Sequence, residues 1–165
     1  MTMMAWMWSA VVTLALMCGG AAAEGSAKGT AGYTSKKGPI TVTFTHAALV
    51  SGPDPVDGKP MRRLILSTQD VSAALAKCDS MRACSDAGIV EGMTVDFRGD
   101  PRLGYWFVAN GQLVQYSGMI TPADAVLTTD SPKRLAGTLT FDQAASGGPA
   151  VSVTFDAPLV KALAK

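Results

Sequence analysis

The sequence predicts a mainly β fold, an antiparallel β-sandwich or partly closed β-barrel with one or two short helices. Three observations carry that expectation. Ile40, Val42 and Phe44 alternate with Thr41, Thr43 and Thr45, the period of two that a half-buried strand requires. The same alternation returns in Leu135–Asp142 and Val151–Asp156, on either side of the Gly-rich connection Gln143–Ala150. Finally, Asn110-Gly111 joins two aromatic-rich runs, and this dipeptide tolerates the positive φ angles of a tight hairpin turn.

Residues 1–23 read as a secretory signal peptide. Met3–Cys18 holds no charge, and the small residues Gly19-Gly20-Ala21-Ala22-Ala23 follow, ending in an Ala-x-Ala cleavage pattern. The expected location is therefore extracytoplasmic, periplasmic or secreted. No Lys or Arg precedes the apolar run, which leaves a membrane anchor through an uncleaved leader as an alternative. Lipidation at Cys18 is a second alternative, although Met17 stands where a lipobox places a small residue. Residues 24–38, rich in Gly, Ser, Ala and Lys, read as a flexible linker, and residues 39–165 as a single β-rich domain.

Strands are expected around Ile40–Phe44, Arg63–Ser67, Thr94–Arg98, Tyr105–Ala109, Gln112–Tyr116, Leu135–Phe141 and Val151–Phe155, with a weaker one at Ala125–Thr129. Ser67-Thr68-Gln69-Asp70 has the form of a capping box and predicts a helix over Thr68–Lys77. Pro158 is placed to open a short C-terminal helix with Leu159, Val160 and Leu163 packing inward. A two-residue turn at Asn110-Gly111 sets Tyr105 opposite Tyr116 and Phe107 opposite Val114. Both faces of that hairpin are largely apolar, so it belongs in the middle of a fold or has one face against a ligand or partner.

Charge and cysteine usage narrow the function. The 14 Lys/Arg and 13 Asp/Glu are interspersed and nearly cancel, which argues against nucleic acid as a partner. No second apolar run is long enough to span a bilayer, so the domain after the leader is not expected to be membrane-spanning. Once Cys18 is assigned to the leader, Cys78 and Cys84 remain, an even pair in an exported chain, and a disulfide is expected. Their spacing is not that of a redox Cys-x-x-Cys, and His46 is the sole histidine, so no metal site is expected. No nucleotide or other cofactor motif is present in the sequence, and no catalytic residue is assigned.

The residues singled out for binding are Tyr105, Trp106 and Tyr116, Trp106 being the one tryptophan beyond the leader. Aromatic side chains with a polar tip suit a protein, peptide or glycan partner. The sequence thus points to a small exported, non-enzymatic binding or envelope-associated domain. One alternative is an extracytoplasmic hydrolase using His46 as base with a serine nucleophile. Another is an inhibitor-type module that presents Ser51–Pro60 or Gln143–Ala150 to an enzyme cleft. Asp54 and Asp57 are expected in a solvated turn of the first of these loops.

Overall fold

The computed structural model describes residues 24–85 and 87–164, and the predicted leader lies outside them. The strands are β1 (Ser26–Ser35), β2 (Gly38–Phe44), β3 (His46–Pro53), β4 (Pro60–Ser67), β5 (Gly92–Phe97), β6 (Leu103–Ala109), β7 (Val114–Ile120), β8 (Ala125–Ser131), β9 (Arg134–Asp142) and β10 (Ala150–Ala162). Two short helices, α1 (Ser72–Leu75) and α2 (Met81–Ser85), lie between β4 and β5. The strands form one sheet in the order β2-β1-β10-β3-β4-β5-β6-β7, with β9 on the second edge of β10 and β8 beyond it. The sheet curls into an open half-barrel, and the mainly β expectation holds.

The inner face of the curl encloses the larger core. Period-two alternation sends Val42 and Phe44, Leu64 and Leu66, Met93 and Val95, Tyr105 and Phe107, and Val151, Val153 and Phe155 to that side. Fully burying one such aliphatic or aromatic side chain is worth about 1.5–3 kcal/mol. A second, smaller core forms on the outer face. Ala48, Val50, Met61 and Ile65 of β3 and β4 meet Val71, Leu75, Met81 and the Cys78–Cys84 disulfide there. The α1–α2 cap thus covers the outer face over β3 and β4 and stops short of β5–β7. That uneven covering positions the site described below.

Four sequence expectations are corrected. Residues 24–38 are not a flexible linker, because Ser26–Ser35 is β1, paired with both β2 and β10. Its period of two is carried by Ala27, Gly29, Ala31 and Tyr33, small residues whose pattern a hydrophobic scan misses. At Gly29 smallness is required, since a Cβ there would stand 2.4 Å from the Val153 Cα. The helix expected over Thr68–Lys77 is only Ser72–Leu75. Ser67 Oγ donates to the Gln69 carbonyl, and it is the Asp70 carboxylate that accepts the Ser72 N–H, at 2.8 Å. Hydrogen bonding from Ser72, first from its hydroxyl and then from its N–H, holds the Asp70 carboxyl below the usual carboxylate range.

The C-terminal helix is also absent, because β10 continues through Pro158 to Ala162. Pro158 pairs opposite Arg134, and from Leu159 to Ala162 the strand runs parallel to β3, with a register shift between Leu159 and Lys161. The hairpin is the fourth correction. Its loop spans Asn110–Leu113, with Asn110, Gly111 and Gln112 all at positive φ, 52°, 60° and 71°. The Asn110 N–H donates to Glu91 Oε1 and Gln112 Nε2 donates to the Ile89 carbonyl, both at 3.0 Å, which draws Gln112 out of the strand. Phe107 therefore lies opposite Tyr116, and Tyr105 opposite Gly118. The register moves and Leu113 falls in the loop, but the side chains within β6 and β7 keep their predicted faces, because the shift is even.

Candidate binding groove

The three aromatic residues singled out for binding separate across the sheet. Tyr105 is 4% exposed and belongs to the inner core. Its ring lies 5.0 Å from that of Phe141 and stacks with Tyr116 at 6.2 Å. The Tyr105 hydroxyl donates to Gln143 Oε1 at 2.7 Å, and burial raises its pKa, with Tyr116 adding to the shift. Tyr116 is half-buried at the rim of the same core, 6.3 Å from Tyr33. Trp106 points to the other face, where its cross-strand neighbours are Thr94 and Ser117. The inner pair shapes the core, and Trp106 alone of the three is set on the outer face.

Trp106 lines a groove of about 760 Å³ where the α1–α2 cap ends. One wall is α2, which contributes Arg82 and Ser85, and the floor is β5–β7, with Thr94, Asp96 and Ser117. A buried ion-pair network fixes the end nearest β4. Arg63 Nε and Nη2 donate to the two Asp96 carboxylate oxygens at 2.6 and 2.8 Å, and Arg63 Nη1 donates to the Met81 carbonyl at 2.9 Å and to Ser85 Oγ. Arg98 Nη2 donates to Asp96 Oδ2 at 3.1 Å, while its Nε pairs with Asp54 Oδ2 at 2.9 Å. Bidentate guanidinium–carboxylate pairs are directional, so these groups are held in place before any ligand arrives.

Asp54 shows what the sequence misses. Expected in a solvated turn, it is 5% exposed and accepts the Val56 N–H at 2.7 Å as well as Arg98. Asp57, its neighbour in the loop, stays at the surface with Lys59, whose N–H and ammonium lower the Asp57 pKa. Arg63, Arg82 and Ser85 were not singled out either. The one available signal was a pair of charges, Arg63 and Asp96, inside strands whose neighbours are apolar.

His46 and the expected disulfide are also placed. The Cys78–Cys84 bridge is present and both residues are buried. His46 opens β3, half-buried, with Nδ1 2.8 Å from Thr45 Oγ1, which itself donates to the Thr68 carbonyl at 3.0 Å. Ser67, Asp70 and Ser72 line the same crevice, which has a volume of about 10 Å³. The Ser67 hydroxyl is spent on the Gln69 carbonyl and the Asp70 carboxylate on Ser72. Of the Ser51–Pro60 segment, Ser51–Pro53 and Pro60 belong to β3 and β4, and the turn between them is tied by Asp54 to Arg98 and carries Val56 at its exposed tip. A second cleft, of about 560 Å³, lies between Met61, Phe97, Pro132 and Leu163. Arg62 bridges it, donating to Asp130 at 2.5 Å and to the Ser131 carbonyl at 3.3 Å.

No protein-family model, curated protein or solved structure matches this chain. Among the described residues there is no cluster of side chains suited to a metal ion, and no helix long and apolar enough to cross a membrane.

Proposed function

We propose that this protein is an exported, non-enzymatic binding domain whose working surface is the groove around Trp106. The observation that carries the reading is the groove itself, an indole beside charged groups already locked by ion pairs, on the part of the sheet that the α1–α2 cap leaves uncovered. A cavity with a few convergent, preset polar groups is the usual form of a binding site. The apolar leader followed by an Ala-x-Ala pattern, and a buried disulfide, support export to an oxidising compartment. The partner class is protein, peptide or glycan.

The test is a pull-down from the native envelope with the full chain, comparing wild type with Trp106→Ala. A partner retained by the wild type and lost by the variant, at unchanged thermal stability, is the expected result. Equal recovery of every partner by both proteins removes the groove from contention.

A further inference from the structure

We infer that the groove takes an acidic saccharide, a sugar chain bearing carboxylates, with one ring seated on Trp106; this rests on the groove being the binding surface. The first argument is the balance of hydrogen-bonding groups. Both oxygens of Asp96, the one carboxylate in the lining among the described residues, are occupied by Arg63 and Arg98. Arg63 has spent Nε and both of its Nη atoms. What remains is donor-rich. Among the described residues the Arg82 guanidinium, Arg98 Nη1 and the Trp106 indole N–H make no hydrogen bond within the protein. A ligand that fills this groove must supply acceptors, and a carboxylate is the acceptor that a planar guanidinium fork matches best.

The second argument is charge. Among the described residues the lining holds three arginines against one aspartate. Asp54, which pairs with Arg98 from outside the groove, reduces the surplus without cancelling it. The third argument is the backbone. The floor strands β5 and β6 are each paired on both edges, so among the described residues a row of free N–H and C=O groups is offered on this side only along the outer edge of β7, the last strand of the sheet and one strand away from Trp106. A peptide added as an extra strand needs such a row, and a docked amphipathic helix needs a continuous apolar trough. This face has the Trp106 indole and the exposed Met119 side chain, two separate apolar groups with polar side chains around them. A sugar ring meets that arrangement, with an apolar C–H face for the indole and hydroxyl and carboxylate oxygens for the donors around it.

The experiment titrates the full chain, expressed with its own leader, with an oligogalacturonate, its methyl ester and a neutral glucan oligomer of equal length. Binding is followed at the Trp106 indole N–H by NMR, assigned by comparison with Trp106→Phe. The acid is expected to bind, the ester and the glucan at least tenfold more weakly. Arg82→Gln, an exposed change that leaves the fold intact, should weaken the acid about tenfold, the value of one charge-assisted hydrogen bond. Added salt should weaken it too. Equal binding of all three oligomers overturns the acidic requirement and leaves the groove standing. Binding of the acid that persists unchanged in Trp106→Ala overturns the saccharide inference and the groove together. Binding of none of the three overturns the inference alone, because the envelope pull-down judges the groove by an independent readout.

Discussion

Tyr105 is held by a bond that only its neutral form can make. Its hydroxyl donates to Gln143 Oε1, and Gln143 Nε2 in turn donates to the Met119 carbonyl at 2.7 Å, so one glutamine ties β6 to the edge of β7. The ring lies flat over Gly118, where a Cβ would stand 2.7 Å from the Tyr105 hydroxyl. Glycine is required there by close approach. Burial raises the Tyr105 pKa above its ordinary 10.0, and the pH dependence follows from that direction. Below 10.0 the phenol is neutral in both states, and its contribution is fully present. As pH rises past that value the unfolded chain releases the proton while the folded chain keeps it, so stability falls. Tyr105→Phe should cost about 1 kcal/mol at neutral pH from the lost hydrogen bond. It should also flatten the alkaline decline. Urea midpoints of both proteins at pH values on either side of 10.0 check this, and parallel slopes would contradict the assignment.

At the scale of elements, the α1–α2 cap is the least self-sufficient part of the molecule. Neither helix is long enough to stand alone in water. The cap is held by burial of Leu75, Met81 and Cys84, by the disulfide, and by the grip of Arg63 on the Met81 carbonyl and Ser85 Oγ. Reducing the disulfide should therefore destabilise the protein by up to about 3 kcal/mol. It should raise amide exchange first in Met81–Ser85, while β5 and β6 stay protected, and so loosen the wall that carries Arg82. Hydrogen exchange with and without reductant reads this directly. Uniform acceleration across the sheet, or none in α2, would show that the bridge does not hold the groove wall.

The same elements show what the sequence made legible. Strands whose alternation is written in Val, Ile, Leu and Phe, such as β2, β9 and β10, were readable, because a period of two in large side chains has one physical meaning. The cap was not, since Ser67 and Asp70 satisfy a capping pattern whose hydroxyl is spent on a carbonyl instead. The hairpin faces were readable from parity. Its register was not, since contacts from Ile89 and Glu91 set the loop length. For the site, Trp106 and the disulfide were visible in the chain. The Arg63–Asp96–Arg98–Asp54 network was not, because it joins residues brought together only by the curl of the sheet.

For the whole molecule, the decisive strand is the one that composition conceals. Ser26–Ser35 lies between β2 and β10, so β2 joins the sheet only through it. Ala31 is fully buried and Tyr33 packs its ring 5.9 Å from Phe107, joining the two arms across the core. If residues 24–38 were a tether, joining the leader directly to Pro39 would leave stability unchanged. In this fold the deletion removes the partner of β10 from Ala150 to Asp156 and strips β2 of its pairing. It exposes a long edge on β10 and opens the core beside Val42 and Phe44. Exposed edges and lost apolar burial act together, and the cost exceeds the marginal stability typical of a domain this size. The shortened protein should lack a cooperative thermal transition and should aggregate, whereas Ala31→Val, an overpacking change, should retain the transition at a lower midpoint. A shortened chain that melts cooperatively at the wild-type temperature would return these residues to the role of linker and leave the half-barrel to begin at β2.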